Sequence, residues 1–312
     1  MIAPGNISRI GSFRAHERED GSLVLEQQGY ALEPQAPYEL RTGDDGYGCE
    51  DPRVTFVAML DAYVMAYVAF GPRGPEVALA ISDDGLRWHR VGLMRFGPSA
   101  APLADKDAAF FPEPVRSPCD VPSLAFYHRP MKWPQEPPVS DGSVRGRASL
   151  ELQAPRVPRA PHERISIGYV PLDLVSADIS NLCRAAETHQ LILPSAPWGR
   201  VKVGAGTPPV RIHEGWLAII HGIDLIERPG ERSFLRYSAG TIVHDAERLD
   251  RVLYRSPAPL FAPETHAEIE GTVRNVVFPT AIDPRPDVAQ GAYDIYYGMA
   301  DDAMGRGRLT LT

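Results

Sequence analysis

VTFVAMLDAYVMAYVAF, residues 54–70, decides the fold class. Two runs rich in Val, Ala, Phe and Tyr, residues 54–60 and 63–70, flank Asp61-Ala62, which reads as a tight hairpin turn. Similar short apolar runs recur at 77–82, 124–127, 165–169, 216–221, 273–278 and 295–299, punctuated by the chain's 31 prolines and 27 glycines. Helical periodicity is nearly absent; only 172–189, with Leu174, Ile179 and Leu182, allows a short helix. The class is all-β.

A loose repeat suggests how the strands are arranged. SRIGSFRAHEREDG, EVALAISDDGLRWHRVG, ERISIGYVPLDL, SFLRYSAGTIVHD and YDIYYGMADD each place a strand before a polar turn. Their spacing, roughly 40–80 residues, suits four-stranded propeller blades padded by insertions. Active residues of a propeller gather at one mouth of the channel, from segments far apart in sequence. Residues 130–162 are rich in proline and interrupt the repeat; they read as a long surface insertion, a lid, an oligomer contact or a plain loop.

The bulk properties are those of a soluble protein, with 44% hydrophobic residues and no apolar stretch near the ~20 residues of a membrane span. A formal net charge of -8 gives no footprint for nucleic acid. The odd set Cys49, Cys119 and Cys183, with no CxxC pair, argues for reduced thiols, and no cationic-then-apolar leader opens the chain. These features point to the cytoplasm, to no nucleic-acid or membrane partner and to no metal site; self-association is left open.

Polar residues inside strand-like surroundings mark the candidate chemistry, because burying them costs free energy unless they are paired or bind something. Glu50 and Asp51 enter a strand beside Arg53; strand alternation sends them to opposite faces, and either could simply pair with the arginine, Glu50 being the structural one. Lys106 lies between Asp105 and Asp107 and reads equally as a solvated turn. Arg129 ends a strand in YHRP, Lys202 lies in the glycine-rich WGRVKVGAGTPP, whose glycines allow close backbone approach to a ligand, and His221 ends the apolar GWLAIIH.

Taken in order, GCEDPRV, DKDAAFFPE, YHRP, WGRVKVGAGTPP, GWLAIIHG, PETHAEIEGTVRNVVFP and YYGMAD resemble glycoside hydrolase family 130, the β-mannoside phosphorylases and β-mannosidases. The resemblance runs from about Ser8 to Asp301. It implies a single five-bladed β-propeller over 1–312 and an inverting reaction. Inorganic phosphate, a co-substrate with no other cofactor, cleaves a β-mannoside or manno-oligosaccharide to give α-mannose 1-phosphate. The family's acid falls on Asp51, its phosphate ligands on Arg129, Lys202, His221 and, by a looser match, Tyr237. Its sugar contacts fall on Arg53, Asp107 and Asp301. A phosphorylase needs one carboxyl acid and a cationic pocket, whereas an inverting hydrolase needs a second carboxylate to activate water. The Arg, Lys and His set therefore favours phosphorolysis; a β-mannoside hydrolase and an inactive glycan-binding propeller are the alternatives. One departure is that the SRIGSF segment begins already at Ser8, so the first blade is expected to be incomplete.

Overall fold

A computed structural model describes residues 2–3, 6–41, 46–97, 100, 103–131, 163–191, 193, 195–230 and 232–311. Among the described residues strands dominate, with two short α-helices at Leu172–Ala177 and His266–Ile269. The sheets form a propeller-like arrangement of four blades. The first runs Ile2–Ala3, Ile7–Ser8, Tyr47–Val57, Ala62–Gly71, Gly74–Ser82, His89–Leu93 in spatial order. The second orders Asp105–Phe110, Pro122–Pro130, Ser166–Pro171 and Glu187–Gln190; the third orders Lys202–Ala205, Gly215–Ile226, Phe234–His244 and Val252–Arg255. The fourth has Val277–Pro284, Ala292–Met299 and Ala303–Thr310, and a separate hairpin pairs Ile10–Glu17 with Leu23–Leu32.

The unbroken apolar runs follow from burial on both faces. In Ala62–Gly71, Val64 and Ala66 join a core shared with Phe110, Leu124 and Phe126 of the second blade. The alternate residues Met65, Tyr67 and Ala69 join another core with Ile10 and Leu32 of the hairpin. Pro122–Pro130 does the same one step on. Leu124 and Phe126 face the first blade, while Ala125 and Tyr127 face Trp216, Ala218 and Ile220 of the third. Ile219 then turns to Val277 and Ile295 of the fourth. Period-2 alternation thus feeds two inter-blade cores at once. Full burial of one such side chain is worth about 1.5–3 kcal/mol.

The first strands close a cycle. Tyr47–Val57 packs on Asp105–Phe110, which packs on Lys202–Ala205; Val277–Pro284 contacts both Gly215–Ile226 and Tyr47–Val57. The hairpin meets the fourth blade through charges rather than a core. Glu17 pairs with Arg285 at 2.9 Å and Arg306 at 3.2 Å, and Arg306 also donates to the Gly21 carbonyl.

Three expectations shift in detail. The 54–70 hairpin forms, but its connection is a 3₁₀ turn, Ala58–Leu60, closed by Asp61 in the left-handed region (φ 48, ψ 40), and Ala62 already pairs with Val57. Aspartate tolerates that conformation better than most residues. The helix of 172–189 stops at Ala177; a 3₁₀ turn Ile179–Cys183 follows, then strand to Gln190. The strand expected at 273–278 starts only at Val277, after a turn containing Asn275 at φ 61. The proline-rich insertion lies, from residue 132 on, outside the described residues.

Candidate active site

A cavity of about 190 Å³ is lined by Asp51, Lys106, Asp107, Arg129, Met131, Lys202, His221, Ile223, Tyr237 and Phe278. Those side chains come from all four blades, so the pocket lies where the first strands converge. It gathers Asp51, Asp107, Arg129, Lys202, His221 and Tyr237 from segments up to 186 positions apart, Asp51 to Tyr237 being 237 − 51. Asp301 is not among the lining residues; it sits exposed in the left-handed turn (φ 56) after Ala292–Met299. Arg53 lies behind the wall, 1% exposed.

Two bulges aim the acids. Glu50 pairs with Val68 and Arg53 with Ala66, so the first blade's strand carries one extra residue there, with Asp51 at φ 51. Lys106 pairs with Arg129 and Ala109 with Tyr127, an identical slip in the second blade, with Asp107 at φ 59. A bulge breaks strict alternation and re-aims side chains. Glu50 and Asp51 are therefore not simply on opposite faces. Glu50 accepts from the Ser8 hydroxyl at 2.9 Å and lies 3.9 Å from the Lys106 ammonium, itself a pocket residue. Arg53, one of the two partners expected for Glu50 besides a backbone donor, is engaged elsewhere: its Nε donates to the Gly206 carbonyl at 2.7 Å, its Nη1 to the Asp51 carbonyl at 2.7 Å, and its guanidinium lies over Phe278. It thus ties the bulge to the third blade.

In the second blade, Asp107 accepts from Arg129 Nε at 2.5 Å and lies 3.5 Å from His221 Nε2. Arg129 Nη1 also pairs with Glu163, whose Oε2 is 3.6 Å from the Lys202 ammonium. The Arg129 backbone is held separately, its N–H donating at 2.9 Å to Asp105, which also binds His128 at 2.6 Å. The glycines of the third blade make room for protein rather than ligand. A Cβ on Gly204 would stand 2.1 Å from Asp107 Oδ2 and 2.4 Å from His221 Cε1, and one on Gly206 2.6 Å from the Ile219 carbonyl.

The electrostatics separate the two aspartates. Burial pushes the Asp51 carboxyl up, against the pull of Lys106 and Arg53, with Glu50 and Asp107 adding to the rise. Burial also works against ionised Asp107, but Arg129, His221 and Arg53 prevail and hold it well below the usual carboxylate range. His221 is lowered to about 4, first by burial and then by Arg129 and Arg53, against Asp107. It is neutral near pH 7, a hydrogen-bonding group and not the cation its motif suggested. Arg129 stays protonated, Asp107 outweighing the cost of burial. Among the described residues no cluster of His, Cys, Asp and Glu could hold a metal ion.

Sequence reasoning assigned no role to Glu163, Met131, Ile223 or Phe278. Glu163 opens ERISIGY and Phe278 ends VVF, both quoted for other reasons; only the packing of His221 on Phe278, centroids 4.6 Å apart, draws the latter in.

The propeller-like ring of sheets thus carries a cavity lined by the buried carboxyl of Asp51 together with Lys106, Arg129 and Lys202. The model of glycoside hydrolase family 130, described as beta-1,4-mannooligosaccharide phosphorylase, matches residues 182–311 of the chain. The chain is 27% identical over 304 residues to the 1,2-beta-oligomannan phosphorylase of Thermoanaerobacter sp. (strain X514), covering 96% of this chain and 77% of that one. It is also 27% identical over 267 residues to the Beta-1,2-mannobiose phosphorylase of the same organism, 84% of this chain and 66% of that one. In fold it is similar to the Beta-1,2-Mannobiose phosphorylase of Listeria innocua, solved with beta-1,2-mannobiose, with a TM-score of 0.68 at 22% identity over 97% of this chain and 67% of that chain.

Proposed function

We propose that the protein is an inverting β-mannoside phosphorylase. The observation that carries this reading is that one cavity is lined both by Asp51, whose carboxyl is raised by burial, and by the cations Arg129 and Lys202. In this reading a phosphate oxygen attacks the anomeric carbon as the glycosidic C–O bond breaks, and Asp51 gives its proton to the departing oxygen, directly or through the mannose 3-hydroxyl. The products are α-mannose 1-phosphate and the shortened acceptor. Arg129 and Lys202 bind the phosphate by charge, and neutral His221 and Tyr237 by hydrogen bonds. Asp107 keeps Arg129 and His221 in position besides any sugar contact, Arg53 holds the acid's bulge, and Asp301 contacts the sugar at the outer rim. The relatives named above as mannoside phosphorylases support the substrate class.

Finer features belong to the same proposal. The hairpin Ile10–Leu32 contacts both the first and fourth blades, which supports reading it as part of a fifth blade in a single domain. Three free thiols support a reducing, cytoplasmic setting. The deciding experiment incubates a panel of β-mannosides with and without inorganic phosphate. Cleavage should require phosphate and yield α-mannose 1-phosphate; an unchanged rate without phosphate would make the enzyme a hydrolase.

A further inference from the structure

Glu163 stands where a phosphorylase has least use for a carboxylate. Its Oε2 pairs with both Arg129 Nη1 and the Lys202 ammonium, the two charges assigned to phosphate. The Val203 N–H, next to Lys202, donates to the Glu163 carbonyl at 3.3 Å, which fixes residue 163 against the Lys202 strand. Arg129 therefore holds two carboxylates, with unequal freedom. Asp107 is 2% exposed and enclosed by Arg129, His221 and Gly204. The Glu163 side chain is 20% exposed and opposite Lys202, which is 39% exposed.

We propose that Glu163 is an internal competitor for phosphate, a carboxylate that pairs with Arg129 and Lys202 and that phosphate must displace. This rests on the phosphorylase reading and names a specificity determinant within it. A carboxylate brings one negative charge; dianionic phosphate brings two and more acceptor oxygens, so it can exchange for Glu163 on the same cations. A monoanion such as chloride or acetate gains nothing by the exchange. Glu163 thus raises the phosphate concentration at which the pocket fills, and in return rejects weaker anions. Asp107 stays in place throughout, so Arg129 keeps its orientation while its second partner changes.

The test titrates inorganic phosphate into the full chain by calorimetry, without sugar, comparing wild type with Glu163→Gln, which keeps the shape and removes the charge, and with Glu163→Ala. Phosphate affinity should rise about tenfold or more in both variants, and acetate, silent against wild type, should begin to compete. Equal or weaker phosphate affinity in the folded variants overturns the inference, since Glu163 would then be orienting the cations. It is likewise overturned if wild type cleaves β-mannosides without phosphate and Glu163→Gln loses that cleavage, because Glu163 would then be activating water. The phosphorylase reading is judged separately by the phosphate requirement of wild-type cleavage; it survives if the variants bind phosphate no better but wild type still needs it.

Discussion

Asp51 and Asp107 occupy the same kind of bulge on neighbouring first strands, both left-handed at φ 51 and 59, yet their acidities are displaced in opposite directions. The backbone device is shared; the neighbours are not. Both carboxyls are desolvated, but Asp107 has Arg129 at 2.5 Å, whereas Asp51 has Lys106 and Arg53 as weaker counterweights. Two carboxyls whose environments push them apart are the usual way for a site to keep one proton donor and one fixed anion at neutral pH.

Asp51→Asn should therefore lower turnover by about 10²–10⁴-fold, the ordinary worth of a general acid. The amide matches the carboxyl in shape and, like the protonated acid, carries no charge into the buried site, so the melting temperature should hold. Steady-state assay paired with thermal unfolding checks both halves. Near-normal activity would remove Asp51 from the mechanism.

Lys202→Ala should raise the phosphate requirement about tenfold to a hundredfold, from a charge-assisted contact of about 1.5–3 kcal/mol, and hardly alter sugar binding. Phosphate should protect wild type against thermal unfolding more than it protects this variant. An unchanged phosphate KM would sever Lys202 from the anion.

Gly204→Ala should damage stability and site together. The added Cβ meets Asp107 Oδ2 at 2.1 Å and the His221 ring at 2.4 Å, and both are packed too tightly to retreat. A loss of about 1–3 kcal/mol in denaturant unfolding is expected, as for other overpacked sites, along with weakened phosphate binding. Wild-type stability in this variant would mean that the Asp107–His221 wall yields easily.

Stability should fall on the acid side of neutrality. His221 and His244 are lowered from 6.5 to about 4, both mainly by burial. The unfolded chain takes up these protons first as pH drops, so stability contributed by the neutral rings is present above about 6.5 and lost down to about 4. Asp51, raised on folding, changes stability in the opposite sense and offsets part of the loss. Denaturant melts from pH 7.5 to 4 should show the decline, and His244→Phe, away from the pocket lining, should flatten it.

Apolar alternation and turn residues were enough to read an all-β chain, because strand formation is local and two-sided burial leaves unbroken apolar runs such as 62–71. The ordered segments from GCEDPRV to YYGMAD were enough to read the resemblance to glycoside hydrolase family 130 and to single out Asp51, Arg129, Lys202, His221 and Tyr237, which line one pocket. What the sequence could not carry depends on register and on neighbours distant along the chain. The bulges at Asp51 and Asp107 arise from one-residue slips against partner strands, invisible in either strand alone. The neutral state of His221 follows from the low-dielectric wall and cations around it, not from its motif. Glu163 is an ordinary strand-opening acid in ERISIGY until the fold sets it between Arg129 and Lys202, where proximity makes it part of the site.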